Sequence, residues 1–446
     1  MVDKQKPTQY NERTNAFRTL VDKIYIHRLP SYGNKIFYGL GFLALTSLIF
    51  LIISGTILAF KGQAWWLYDP IGIYARSVHL WSVQAFIAIL ILHALVGFLT
   101  SGFRPPRRMV WVFGAVIFCL VLIQTEFGYG LRGDFSSQFR AVSGADFWNG
   151  SHLGYWINPL NHWQDLAIHV AIIPLAILGL FVLHYILVHT YGISKPYRAD
   201  IKYKMVPADH RIMWTRGAVL AVSILVLAFF FHSPYVPPST IAGVVATDHS
   251  LVSSTLADEY ARTSDTATYL DSIDPYTFDT REVFVVKPYE ALVGGMATTS
   301  DVMVAALMPT IESGAYEAYL NNEDPAPYTY SLRFLNDMGV LEERAGTLGF
   351  ATTQWGMAKD ENGHLIGLPP GSWWFTPLGL LNSTFDLVDN SNGDEIAAYT
   401  LGAIMLLFVT FPYLPYLNRL PEVLHVAPFI WKDNDVTDAP DKEEKK

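Results

Sequence analysis

RSVHLWSVQAFIAILILHALVGFLT at residues 76–100 and LAIHVAIIPLAILGLFVLHYILVH at residues 166–189 decide the reading of this chain. Each holds an apolar run close to the 20 residues an α-helix needs to cross a hydrocarbon core. Each also carries two histidines: His79 and His93 in the first, His169 and His184 in the second. Fourteen residues separate the first pair. That is nearly four helical turns, so both rings leave almost the same face about 21 Å apart. Fifteen residues separate the second pair. On a regular helix this turns the second ring about 60° further and sets the two about 22 Å apart.

Working outward, the hydropathy pattern predicts six spanning helices, at 36–60, 78–100, 109–128, 166–189, 216–234 and 395–417. One helix lies between the two histidine helices, so they run in the same direction. His79 then shares a depth with His169, and His93 with His184, giving two levels of two facing imidazoles. A histidine inside a membrane helix is costly and by default functional. Imidazole is a common axial ligand of haem iron, and two facing rings close both axial positions, which suits electron transfer rather than oxygen binding. Zinc would want three or four ligands at one level. Gly41 and Gly55, and Gly114 and Gly128, repeat the fourteen-residue spacing on the neighbouring spans and would let a flat macrocycle approach the backbone. Arg76, three residues before His79, is placed to pair with a haem propionate.

Composition narrows the alternatives. The chain has 446 residues, 51% hydrophobic and only 16% charged, against about a quarter charged in soluble domains. A net charge of −9 argues against a nucleic-acid partner. The single cysteine, Cys119, excludes an intrachain disulfide, a Cys-x-x-Cys-His haem attachment and an all-cysteine iron–sulfur cluster. Lys23, Arg28 and Lys35, then Arg104, Arg107 and Arg108, then Lys195 through Arg216, fall on one side of a six-span path. The positive-inside rule makes that side cytoplasmic, with both termini there, in a multi-pass plasma-membrane protein. The expected organisation is a cytoplasmic arm (1–35), a dihaem four-helix bundle (36–192), a loop with the fifth span (193–234), an extracytoplasmic insertion (235–394), the sixth span (395–417) and a cytoplasmic tail (418–446). The fold class is thus an all-α membrane protein. The insertion holds about twenty-two acidic and about six basic residues, reads as mostly helical, and is a candidate docking platform.

These residues resemble the cytochrome b family of quinol:cytochrome c reductases and of the cytochrome b6f complex. The resemblance covers residues 30–232 and rests on Arg76-x-x-His79, the two glycine pairs, the four histidines and Ser101–Trp111 (SGFRPPRRMVW). The fifteen-residue separation is of the b6 type. The resemblance implies two b-type haems, an outer one on His79 and His169 and an inner one on His93 and His184. It further implies quinone as substrate, with His189, and Asp209 as partner carboxylate, at an inner quinone site. The family's outer site uses a Pro-Glu-Trp-Tyr motif whose glutamate accepts a quinol proton. Here Pro370-Gly371-Ser372-Trp373-Trp374-Phe375 stands in a similar place without the glutamate, and Gly130-Leu131-Arg132-Gly133-Asp134 replaces the family's Leu-Pro-Trp segment.

Two functions follow as expectations. The first is the haem subunit of a quinol-oxidising complex, a homodimer within a larger assembly, with a Rieske-type iron–sulfur protein or a cytochrome c as outer partner. The second is a haem-bearing anchor that links the quinone pool to a different extracytoplasmic oxidoreductase without bifurcation.

Overall fold

A computed structural model of the protein describes residues 26–196, 203–268, 279–296, 299–322, 330–348, 371–385 and 393–431. In chain order its principal helices are α1 (Ile36–Lys61), α2 (Pro70–Leu99), α3 (Arg108–Gly130), α4 (Phe135–Gly150), α5 (His162–Tyr191), α6 (His210–Phe230), α7 (His249–Ala261), α8 (Ser300–Glu312) and α9 (Gly393–Thr410). Among the described residues, six stretches are long and apolar enough to cross a membrane: α1, α2, α3, α5, α6 and Glu395–Tyr413. These are the six expected from hydropathy.

Two helix starts differ most from the expected ones, and caps explain both. Helix α2 begins at Pro70 rather than 78, because the Asp69 carboxylate accepts from the amides of Ile71 and Gly72 and proline is tolerated in a first turn. Arg76 therefore sits inside the helix, past its first turn. Helix α6 begins at His210 rather than 216, with the Asp209 carboxylate accepting from the Ile212 amide at 3.1 Å.

Helix α1 packs along α2, and α3 along α5, while α6 covers α1 and α2 from outside. The apolar core of this bundle runs from Leu40, Phe86 and Ile87 to Val121, Phe127, Ile173 and Ile177. On α6, Gly217 brings the backbone against Phe42, so close that a Cβ would lie 2.9 Å from the ring. Helix α9 is tied to α3 where Trp111 Nε1 donates to the Phe408 carbonyl at 2.8 Å.

Among the described residues, the all-α expectation has one small exception. Strands β1 (Arg28–Pro30) and β2 (Met205–Pro207) pair antiparallel, with Leu29 opposite Val206. They bring the N-terminal arm against the α5–α6 connection. Nearby, Tyr32 donates to the Ser194 carbonyl at 2.9 Å, and Trp431 Nε1 donates to the Tyr38 hydroxyl at 2.9 Å.

The described part of the 235–394 insertion is helical, as expected, and has its own core. Val252 and Leu256 of α7 meet Val304, Leu307 and Ile311 of α8, with Phe284, Tyr316 and Phe334 between them. That core also takes in Phe135, Ala141, Val142 and Ala145 of α4. Gln138 and Ser239 exchange two hydrogen bonds, and Arg344 lies 4.5 Å over the Phe135 ring. The tail after Lys432 and residue Pro370 lie outside the described residues.

Candidate functional site

The four histidines meet in two levels. His79 of α2 and His169 of α5 have ring centroids 6.4 Å apart with an interplanar angle of 73°. His93 and His184 repeat this at 6.4 Å and 75°. A metal–imidazole bond is about 2 Å long, and a ring centre lies about 1.2 Å behind its nitrogen. Two rings on opposite sides of one ion therefore place their centres about 6.4 Å apart, the observed separation.

Hydrogen bonds fix which nitrogen faces inward. His169 Nδ1 lies 3.0 Å from the Gln124 carbonyl, and His184 Nδ1 lies 2.9 Å from the Val110 carbonyl. A carbonyl can only accept, so each Nδ1 carries the proton and Nε2 keeps its lone pair. His79 Nδ1 lies 2.9 Å from Ser54 Oγ, whose own proton goes to the Phe50 carbonyl at 2.6 Å. Ser54 thus accepts from His79, with the same result. Ligand-competent imidazoles held by donors to a second layer are what an axial pair requires.

The fifteen-residue spacing in α5 is reconciled by a local irregularity. Residues Ile168–Ile172 form a π turn within the helix, and His169 sits in it. A π turn absorbs one extra residue, so fifteen residues do the angular work of fourteen. The 60° offset expected of a regular helix is removed, and both α5 rings face α2. Pro174, in the first turn after the π segment, lacks the amide proton a regular ladder would use there.

Each glycine of the two expected pairs lies against one imidazole. A Cβ on Gly41 would stand 3.5 Å from His93 Cε1, on Gly55 3.1 Å from His79 Cε1, on Gly114 3.1 Å from His184 Cε1, and on Gly128 2.5 Å from His169 Cε1. The four positions expected to admit a flat macrocycle thus lie beside the four histidine rings.

Arg76 is buried, with Nη2 donating to the Ser233 carbonyl at 3.0 Å. Its Nε and Nη1 are buried and, among the described residues, without a hydrogen-bond partner. A guanidinium with two orphaned donors at the His79 level is chemically suited to a carboxylate ligand. The inner-site expectation finds less. His189 is exposed and rests on Tyr185, with ring centroids 6.4 Å apart, and Asp209 is engaged as the α6 cap.

At the His79/His169 level the structure adds a cluster that hydropathy concealed. Gln84 of α2 accepts from Trp373 Nε1 at 2.9 Å and donates to the Gly371 carbonyl at 3.2 Å. Trp374 Nε1 donates to Thr125 Oγ1 of α3 at 3.2 Å. Arg140 of α4 donates to Ser372 Oγ and, at 2.9 Å, to Glu126 Oε1, while lying 4.5 Å over the Tyr129 ring. The Gly371–Phe375 segment is thereby wedged between α2, α3 and α4. Glu126, a carboxylate inside a spanning helix, stands beside it with 36% of its side chain exposed. In sequence it reads as a marker of a helix end. Its depth, and the arginine that meets it, were the signals to find it by.

Comparison with known proteins adds kinship. The family profile "Cytochrome b(N-terminal)/b6/petB" matches residues 84–150. Cytochrome b6 of Heliobacterium modesticaldum is 30% identical over 213 residues, which is 42% of this chain and 97% of that protein. Cytochrome b6 of Heterocapsa triquetra is 29% identical over 213 residues, with the same coverage. That of Synechocystis sp. is 26% identical over 212 residues, 42% of this chain and 93% of that protein. A solved structure titled "Hyperthermophilic respiratory Complex III" aligns with a TM-score of 0.42 and 16% identity, covering 92% of this chain and 98% of that one.

Proposed function

On the premise that this chain belongs to the cytochrome b family and is a multi-pass membrane protein, we propose that it is a dihaem electron carrier of a quinol-oxidising complex. His79 with His169, and His93 with His184, hold one b-type haem each. The observation that carries this is the repeated 6.4 Å separation of crossed imidazole rings at two levels. Bound there, the two haems supply one-electron redox chemistry across the bilayer.

The protein's own groups do the rest. Gln124, Val110 and Ser54 hold three imidazoles in the tautomer that presents Nε2. Gly41, Gly55, Gly114 and Gly128 leave room for the rings to stand upright. Arg76 offers two free donors to a propionate. Quinol binds at the His79/His169 end beside Gly371–Phe375, and Glu126 accepts a proton from it. Arg140 orients that carboxylate. The presence of a carboxylate at this segment favours quinol oxidation over a plain anchoring role. The acceptor of the second electron is an outer Rieske-type protein or cytochrome c, and the complex is dimeric.

The test is a pyridine haemochrome assay on the purified protein, with a reduced-minus-oxidised spectrum after quinol addition. Two b haems per chain, both reduced by quinol, are expected. One haem per chain would refute the assignment.

A further inference from the structure

At the His93/His184 end a half-open cavity of about 230 Å³ is lined by Arg104, Arg108, Arg419 and Asn418 against Phe103 and Pro412. It lies between the α2–α3 connection and the chain just beyond α9. Its electrostatics are one-sided. Arg104 pairs with Glu422, Arg108 spreads over the Tyr413 ring at 5.1 Å, and Arg107 stands behind with Nε on the Gly102 carbonyl at 2.9 Å. Arg104, Arg107, Arg108 and Arg419 gather there, and among the described residues Glu422 is the carboxylate that meets them, in a chain whose net charge is −9.

Two of these cations also keep unmet donors: among the described residues, Arg108 Nε and Arg107 Nη1 are buried without a hydrogen-bond partner. Burial pulls the Arg107 guanidinium below its ordinary range. The cavity opens at the first turn of α3, a 23-residue helix whose dipole adds positive potential there. Guanidinium forks match phosphate oxygens in paired hydrogen bonds.

We propose that this cavity binds a phosphate group, the phosphodiester of an anionic phospholipid, with Arg108 and Arg419 as its principal partners. Two features favour a lipid over a free anion. The cavity lies where a spanning helix begins, at headgroup level. In the same stretch of chain as Asn418 and Arg419, Tyr416 is 85% and Val423 71% exposed, side chains that acyl chains would cover. Basic pockets between spanning helices are the usual seat of anionic headgroups. The proposal rests on the spans alone and not on the haem assignment, so haem content serves as a separate measure of folding.

The full-length protein, purified in detergent and stripped of loosely held lipid, is mixed with phosphatidylglycerol, with phosphatidylcholine, or with phosphatidylglycerol plus excess inorganic phosphate. Retained lipid is counted by native mass spectrometry. One phosphatidylglycerol per chain is expected, with phosphatidylcholine not retained. In R108Q/R419Q retention falls about tenfold or more, the loss of at least one charge-assisted hydrogen bond, with haem content unchanged. Should the double variant lose haem, R419Q alone is read, with a fall in the same direction. Equal retention by the variant and the parent protein overturns the proposal. Displacement of the lipid by inorganic phosphate overturns the lipid source and assigns the site to the free anion.

Discussion

Replacing Gly128 with alanine probes the axial geometry most directly. The added Cβ would stand 2.5 Å from His169 Cε1 and 3.1 Å from both ring nitrogens. Ordinary contact begins near 3.4 Å, so the ring must recede by about 0.9 Å. It cannot do so freely, because Nδ1 is held on the Gln124 carbonyl at 3.0 Å and, in the proposed assignment, Nε2 would be held by the iron. Overpacking of this kind costs about 1–3 kcal/mol, or about 5- to 150-fold in retention of the His79/His169 haem. Alanine is a better helix former than glycine by about 1 kcal/mol, so general unfolding of α3 is not the expected cause. Gly41→Ala is the control, since its Cβ meets His93 at 3.5 Å, a normal contact. Gly55→Ala and Gly114→Ala, at 3.1 Å, fall between. Haem per chain by pyridine haemochrome, with potentiometric titration to identify the haem lost, reads the series. The reasoning fails if G128A keeps two haems at unshifted potentials, or if G41A loses as much haem as G128A.

His93→Ala should remove one haem and leave the other, visible as a halved haemochrome yield. E126Q should slow quinol-driven haem reduction at least several-fold while both haems remain, and an unchanged rate would take the proton-accepting role away from Glu126. With Cys119 replaced, a cysteine at Lys195 should resist an impermeant reagent in intact cells and one at Glu290 should react; the opposite pattern would reverse the topology. Glu259, buried in α7 near Asp337, has its carboxyl pushed up to about 9, chiefly by burial. Its proton is favoured by the fold, so the stabilisation is full below the ordinary carboxylate range and is lost as pH rises toward 9. Hydrogen exchange across 249–261 should accelerate over that window, and E259Q should flatten the trend.

The spans and the four histidines were legible because both are dense, local signals: some twenty apolar residues in a row, and ionisable rings where none are cheap. What escaped was set by single residues or by distant partners. The start of α2 hid behind Arg76 and Ser77, which interrupt the apolar run although Asp69 and Pro70 open the helix earlier. The π turn at Ile168–Ile172 has no compositional mark, so the fifteen-residue spacing read as an angular mismatch. The ribbon of Leu29 with Val206 is three residues long on each side, too short for alternation to register. His189 and Asp209 came from resemblance, and in the structure one is an exposed helix-end ring and the other a cap.

Helix α4 is the clearest case of a residue pattern that acquires meaning only from its neighbours. Read alone, FSSQFRAVSGADFWNG is a weakly apolar stretch in a loop between spans. In the fold, Phe135, Ala141, Val142 and Ala145 enter the core of the 235–394 insertion, while Trp148 stacks on Phe127 of α3 at 6.2 Å. Arg140, in the same helix, carries Glu126 and Ser372. One short helix therefore seats the acidic domain, packs on the bundle and positions the carboxylate beside Gly371–Phe375. Removing the insertion would strip the cover from four apolar side chains of α4 and loosen Arg140 with them. The domain cannot be treated as an appendage to an independent electron-transfer bundle. A partner that docks on it engages a surface anchored, through one helix, to the groups proposed to handle the quinol proton.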